Sequence, residues 1–291
     1  MSSLRSGASW LLGGGLAGRV IQFAVGVILA RLLAPADFGL LVTIQVFTGL
    51  AGFLVGIGMG EALVQRRLAS ARDFNVVFTL YTFSCLCIYA VFFLAAPWIA
   101  WVFDEPRYTL LMRVSCLSFL WRPWLVIPTV MLRRQMRFAL LAQAELVNLL
   151  VASLASLLFA ANGFEVWSLV VSGQIATFVQ IAMVIYFSAW RPALAWEPAT
   201  IRELVGSGLR FTANDIAVYL RSELVNLFLS RSFGPSAVGL FNKSQSLAVL
   251  PVATISGSVY QPLFRALSSH QDDLNNSQYL YLKALTLVTA Y

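Results

Sequence analysis

The sequence predicts an all-α polytopic membrane protein, a two-lobed bundle of parallel repeats whose second lobe is incomplete. Composition is the first observation: 59% of residues are hydrophobic and only 11% charged, against about 25% charged in a soluble domain, and mean hydropathy is +0.79. The second is the length of the apolar runs, several of which reach the roughly 20 residues that a spanning helix needs. The third is an internal repeat. ARLLAPADFGL at 30–40 returns as SRSFGPSAVGL at 230–240, with Arg31/Arg231, Pro35/Pro235, Gly39/Gly239 and Leu40/Leu240 in register, and it extends to Val25/Val225 and Gln45/Gln245.

Spans are expected near 8–33, 38–63, 74–97, 109–131, 140–161, 166–189, 208–230 and 236–262, with a ninth beginning near 279. A β-barrel would need alternating segments of about ten residues, and Leu146–Ala161 and Val166–Ala189 do not alternate. The amino-terminal apolar stretch exceeds the 7–15 residues of a cleavable h-region, so no signal peptide is expected. Arginines set the orientation, because positive charge is retained on the cytoplasmic side. Arg5, Arg66, Arg67, Arg72, Arg133, Arg134, Arg137, Arg191, Arg202, Arg210 and Arg265 fall on one side if the amino terminus is cytoplasmic. The opposite loops hold Arg107, with Arg31 and Arg231 at helix ends. Topology thus accounts for much of the net charge of +7, and no nucleic-acid partner is called for.

Spans one and seven are separated by an even number of crossings, so the halves are parallel repeats about an axis along the membrane normal, a common transporter build. The expected organisation is a six-helix lobe at 1–190, a cytoplasmic linker at 191–207 containing a short interfacial helix, and the start of a second lobe at 208–291. If each lobe has six helices, several carboxy-terminal spans lie beyond Tyr291.

The order of ARLLAPADFGL, GEALVQRR (60–67), MLRRQMRFALLAQAEL (131–146), VGLFNKSQSLAVLPVATISGSVYQPLFRALS (238–268) and QDDLNNSQYLYLKAL (271–285) resembles the polysaccharide transporter branch of the multidrug/oligosaccharidyl-lipid/polysaccharide exporter superfamily, the Wzx-type flippases. The resemblance implies twelve to fourteen spans in a bacterial cytoplasmic (inner) membrane. It also implies a lipid-linked oligosaccharide substrate, contact with membrane lipid and with other polysaccharide assembly proteins, no prosthetic group and no covalent catalysis.

Charges inside spans cost about 2.5–3.5 kcal/mol each at the bilayer centre on insertion scales, so they face a cavity or a partner. Arg19, with Gln22 at i+3 and Gly15 and Gly26 on neighbouring turns, marks span one. Arg122 stands beside Pro123 and above Pro128 in span four, where a kink at the charge is expected. Span five holds Gln143, Glu145 and Asn148; span seven holds Asn214, Asp215, Tyr219, Arg221, Ser222, Glu223 and Asn226, with 215, 219, 222 and 226 along one face. Arg19 and Arg221 occupy equivalent depths in the leading helices of the two lobes. The planar guanidinium fork suits a diphosphate. Arg19, Arg122, Arg221 and Lys243 are therefore the candidate substrate-binding residues, and Glu145 and Asp215 the candidate ion-coupling residues. The structural alternatives stand beside these: Arg19 and Arg221 paired with Glu145 or Asp215, and Lys243 and Arg113 snorkelling to the interface.

Other features have simpler readings. Gly52, Gly56 and Gly60 are spaced for helix packing, with a hinge as the alternative. Trp98, Trp101, Trp167 and Trp190 fall at span ends as an aromatic belt. Cys85, Cys87 and Cys116 lie inside spans and His270 has no second histidine near it, so neither a disulfide framework nor a metal site is expected. A multidrug cation antiporter is the second functional reading, disfavoured by the arginine excess. A glycan polymerase or ligase is the third, and the predicted outer loops are too short to carry its catalytic groups.

Overall fold

The computed structural model describes residues 18–56 and 71–249, without the side chains of 198–214. Gly15, Gly60, His270 and the arginines Arg5, Arg66, Arg67 and Arg265 lie outside the described residues, as do the side chains of Arg202, Arg210 and Asn214 and the surroundings of Gly56. All regular structure among the described residues is helical. In chain order these helices are α1 (residues 18–32), α2 (Pro35–Gly56), α3 (Ala71–Val102), α4 (Arg107–Cys116), α5 (Ser118–Arg134), α6 (Phe138–Ala161), α7 (Trp167–Ser188), α8 (Pro198–Phe233) and α9 (residues 235–249). Five segments are long and apolar enough to cross a membrane: Pro35–Val55, Arg72–Val102, Arg107–Arg134, Phe138–Ala161 and Trp167–Ser188. They coincide with the second to sixth expected spans. The chain divides into two compact units, Met1–Gly239 and Leu240–Tyr291.

Helix starts follow local chemistry. At α2, Pro35 needs no N–H partner in the first turn, and Asp37 reaches back so that its Oδ2 accepts the Ala34 N–H at 3.1 Å. That is the N3-acid half of a capping box. α8 begins with Glu197 as N-cap in extended conformation and Pro198 in its first turn. The helix then runs 36 residues without interruption. The expected interfacial helix is therefore absent among the described residues: only 190–197 is non-helical, and 198–207 is already the first part of α8. At its other end Gly234 takes φ +79°, a left-handed geometry that glycine adopts without a Cβ penalty, and α9 follows at Pro235.

The main core gathers Leu40, Ile44, Ala51 and Val55 of α2, Val77, Phe78 and Tyr81 of α3, and Tyr108, Leu111 and Met112 of α4. α6 and α7 pack on each other, and both bury small residues, Ser153, Ser156 and Ala160 on α6 and Ser168, Ser172 and Ala176 on α7. Such faces let two helices approach closely in a membrane, where van der Waals packing replaces the hydrophobic drive. α1 lies on α6 through Leu29, Leu33 and Ala160. Large apolar side chains such as Leu94, Leu154 and Leu158 point outward, as expected of helices facing lipid. Trp98 and Trp101 are exposed in agreement with a belt, but Trp190 is buried, its ring 5.2 Å from that of Phe78. It is a core residue.

Span four is two helices. The break is at Leu117, where Leu117 N–H bonds the Val114 carbonyl at 3.2 Å and Leu120 N–H bonds the Leu117 carbonyl at 3.0 Å, so the chain takes a 3₁₀-type step. Pro123 and Pro128 lie inside the single helix α5, which moves the expected kink from the charge to a point six residues before Pro123. The loosened carbonyls are caught from outside: Gln174 Nε2 of α7 donates to Val114 O and Ser115 O, both at 3.3 Å. A side chain that re-satisfies freed backbone groups is what makes such a break tolerable in a membrane.

A second proline is compensated in the same way. Pro97, inside α3, has no N–H to give the Phe93 carbonyl one turn earlier. Arg113 Nε donates to Phe93 O at 3.3 Å, and its guanidinium carbon stands 4.3 Å from the Phe93 ring centroid. Arg113 thus covers an orphaned carbonyl, a specific role in place of snorkelling. Arg113→Ala should cost about 1 kcal/mol, read as a lowered Tm. In a Pro97→Ala background, where the main-chain bond is restored, the same substitution should cost nearly nothing.

In the α3–α4 turn, Glu105 accepts from Arg107 Nε at 3.0 Å and Nη2 at 3.1 Å. This pairing holds the Glu105 carboxyl below its ordinary range. Its stabilisation is present above the unfolded-state pKa and is lost as pH falls through the folded one. Because Arg107 is half exposed, the effect is below about 1 kcal/mol. Wild type and Glu105→Gln should differ slightly in Tm at neutral pH and converge in acid.

Candidate functional site

The two copies of the repeat pack against each other. A Cβ on Gly39 would overlap the Pro235 carbonyl oxygen and lie 2.5 Å from its carbon, and a Cβ on Gly239 would overlap the Pro35 carbonyl oxygen and lie 2.9 Å from its carbon. The relation is reciprocal, glycine of one copy on proline carbonyl of the other. Backbone can come this close only where there is no side chain. One turn along α2, the Thr43 hydroxyl donates to Gly39 O at 3.0 Å and to Ser230 Oγ at 3.0 Å. Tyr108 Oη of α4 stands 3.1 Å from the same Ser230 oxygen. Thr43, Tyr108 and Ser230 are each no more than 1% exposed. These three hydroxyls join α2, α4 and α8 with no ion pair among them.

Further along, Tyr219 of α8 lies on Gly49, where a Cβ would stand 2.6 Å from the Tyr219 ring carbon Cζ. Its hydroxyl reaches the Gln45 carbonyl at 3.1 Å and the Val46 carbonyl at 3.2 Å, and its ring is 5.3 Å from Phe53. A seam of glycine seats and neutral hydroxyls therefore runs along α2 and α8. It leaves no net charge to be compensated when it parts.

Next to that seam, Gly52 seats Arg122. A Cβ there would be 2.8 Å from Nη1 and 3.4 Å from Nη2. At Gly52, and equally at Gly49, the nearest atoms belong to a side chain rather than to a neighbouring helix backbone, so the packing-ladder reading is corrected at this position. Arg122 also lies within electrostatic reach of the Tyr81 phenol and the Cys85 thiol of α3. Arg122 is half-buried, and no carboxylate pairs with it among the described residues. It is twelve residues from Arg134 at the end of its segment, about 18 Å along a helix.

Arg19 and Arg221 stand at a similar level, thirteen and twelve residues from the ends of α1 and α8. Both are exposed, as are Gln22, Glu145 and Asp215. Among the described residues no ion pair joins Arg19 or Arg221 to Glu145 or Asp215. Arg122 is placed against named groups of two other helices, Gly52 of α2 and Tyr81 and Cys85 of α3. Lys243 falls in α9 within the second compact unit and is half-buried.

The polar face of α8 differs from the expected one. Tyr219, Asn226 and Ser230 form the packed side, Asn226 and Ser230 being buried, whereas Asp215 and Ser222 are exposed. The Ser222 hydroxyl turns back to its own helix, on the Tyr219 carbonyl at 2.7 Å. Asn226 Nδ2 donates to Glu223 Oε2 at 2.6 Å, while its own Oδ1 is buried without a partner. Sequence reading missed Thr43, Tyr108 and Ser230. The 219–226–230 spacing, one helical face, was the available signal for Ser230. The cysteines are free, with Cys85 and Cys116 buried.

The sequence pattern of a family described as polysaccharide biosynthesis protein matches residues 28–291. The chain is 24% identical over 293 aligned residues to the lipopolysaccharide biosynthesis protein WzxC of Escherichia coli K12, covering 97% of this chain and 58% of that protein. It is 23% identical to the teichuronic acid biosynthesis protein TuaB of Bacillus subtilis 168, covering 98% of this chain and 60% of that protein. It is 21% identical to the succinoglycan biosynthesis transport protein ExoT of Rhizobium meliloti 1021, covering 87% and 51% respectively. The chain thus spans little more than half the length of these relatives. No solved structure matches it. With the match extending over residues 28–291, on a helical membrane scaffold, the chain belongs to the family described as polysaccharide biosynthesis protein.

Proposed function

We propose that this protein is a flippase carrying a polyprenyl-diphosphate-linked oligosaccharide from the inner to the outer leaflet of a bacterial cytoplasmic membrane, with its amino terminus in the cytoplasm. The observation that carries the reading is Arg122, a half-buried guanidinium deep in a membrane-crossing segment with no carboxylate paired to it among the described residues. An uncompensated cation at that depth is costly, and an anionic ligand is the natural counter-charge. The diphosphate is the anionic part common to lipid carriers of different glycans. Arg19 and Arg221 lie at levels that match each other, thirteen and twelve residues from the same-side ends of α1 and α8, and we assign them to the cavity that Arg122 faces.

Transport would proceed by alternating access between two lobes, 1–190 and 208 onward, joined by a cytoplasmic linker. The glycine-and-hydroxyl seam supports such a motion, because neutral contacts separate without stranding charge. The relatives named for lipopolysaccharide, teichuronic acid and succinoglycan differ in glycan, which favours recognition centred on the shared lipid diphosphate. Other assembly proteins would supply and consume the substrate, and the transporter itself makes and breaks no covalent bond. The reading with Glu145 and Asp215 as coupling sites for a cation antiporter is weaker: both are exposed, and no second acid is brought beside either of them among the described residues.

The test is mass spectrometry of polyprenyl-linked intermediates in cells carrying Arg19→Gln, Arg122→Gln or Arg221→Gln in the intact protein. Loss of one charge-assisted contact, about 1.5–3 kcal/mol, should slow export roughly tenfold or more and trap the intermediate on the inner leaflet. Normal membrane insertion is expected, and lysine at each position should rescue only in part. Unimpaired export in all three variants would defeat the proposal.

A further inference from the structure

We infer that Gly52 is a positioning residue for Arg122, a seat without a side chain that aims the guanidinium at an anionic diphosphate; this rests on the flippase reading above. Three atoms of the guanidinium group surround the place where a Cβ would be: Nη1 at 2.8 Å, Nη2 at 3.4 Å and Cζ at 3.5 Å. No backbone of another helix is among the nearest atoms, so close helix packing is not what the glycine secures. On the α3 side the neighbours are Tyr81 and Cys85, one helical turn apart and 5% and 1% exposed. Both are neutral side chains. The seat therefore fixes the position of the charge without neutralising it.

This combination has a purpose in binding and none in packing. A structural arginine in a membrane is matched with a carboxylate or, as Arg113 is, with a backbone carbonyl; among the described residues Arg122 meets neither, and an arginine that only filled space would be replaceable by an apolar residue at a gain. Holding the cation by the glycine seat and the neutral Tyr81 phenol leaves the rest of its N–H fork available for a ligand with several oxygens, for which planar bidentate geometry is suited. Because the atoms above Gly52 are the far end of a flexible side chain, Gly52→Ala moves the guanidinium rather than the fold. A shift of about 1 Å is enough to impair a forked contact.

The experiment uses the intact protein purified in lipid nanodiscs and a soluble short-chain prenyl diphosphate, with the monophosphate for comparison. Gly52→Ala should weaken diphosphate binding about tenfold, reduce the preference over monophosphate, and change Tm little. In the Arg122→Lys background, whose narrower ammonium clears the added methyl, Gly52→Ala should cost less than twofold. An equal cost in both backgrounds would mean that the alanine damages packing, which overturns the positioning role. Wild-type binding in Gly52→Ala together with lost binding in Arg122→Gln would also overturn it while leaving the diphosphate reading standing. Wild-type binding in Arg122→Gln would remove the diphosphate reading at Arg122, and the role of Gly52 with it.

Discussion

Replacing Gly39 by valine is expected to abolish the closed seam and with it export, and replacing Gly239 by valine is expected to do the same. In each case the new side chain meets a proline carbonyl of the other repeat copy. Backbone cannot rotate aside as a side chain can, so the helices must separate. Overpacking a well-fitted interface costs about 1–3 kcal/mol even where side chains adjust. A rigid neighbour puts the cost at or above the top of that range, about a hundredfold in population. The check is a cysteine at Val238, which is fully buried in the closed seam, in a protein with Cys85, Cys87 and Cys116 replaced. An impermeant thiol reagent added outside should label it slowly in the parent and quickly in either valine variant. Since the two glycines act on one interlock, the double variant should label no faster than the singles by more than a few fold. Independent multiplicative effects would show that the contact is not reciprocal in function.

How much of this was legible in the sequence depends on how local the signal was. Spans two to six were readable because hydropathy acts within one helix. The matched glycines and prolines of the repeat were visible too, but only as punctuation. That each glycine serves the other copy's proline is a fact about residues 200 apart, and no window along the chain contains it. Gly52 shows the same limit: its spacing with Gly56 suggested a packed helix, whereas its occupant is a side chain from α5. The break at Leu117 escaped because its compensation, the Gln174 amide, comes from another helix, while Pro123 drew attention six residues too far along. Trp190 sat at a span end and was read as a belt residue, yet Phe78 encloses it. The continuity of α8 through 198–207 was hidden by polar composition, which marks exposure more reliably than it marks the end of a helix.

Ser230 is the position where the smallest change should have the second large effect. It is the shared partner of the two other buried hydroxyls, accepting from Thr43 at 3.0 Å and lying 3.1 Å from Tyr108 Oη. Ser230→Ala removes that hub. Thr43 keeps the Gly39 carbonyl as acceptor, so its loss is small. Tyr108 loses the closer of its two hydroxyl partners and keeps only Thr43, at a cost of about 1 kcal/mol or somewhat more. Tyr108→Phe removes the same bond from the other side without stranding the phenol, and should therefore be milder. Combining it with Ser230→Ala should restore part of the loss, because no under-satisfied Tyr108 hydroxyl, left with Thr43 alone, then remains. Labelling of the Val238 cysteine should follow this order: fastest in Ser230→Ala, slower in the double variant, and slower again in Tyr108→Phe. If Ser230→Ala labels like the parent, the hydroxyls are incidental and the glycine interlock alone holds the seam. If the double variant is worse than either single, each hydroxyl is acting separately. The ordering thus distinguishes a cooperative latch from a set of neighbours, which the distances alone do not do.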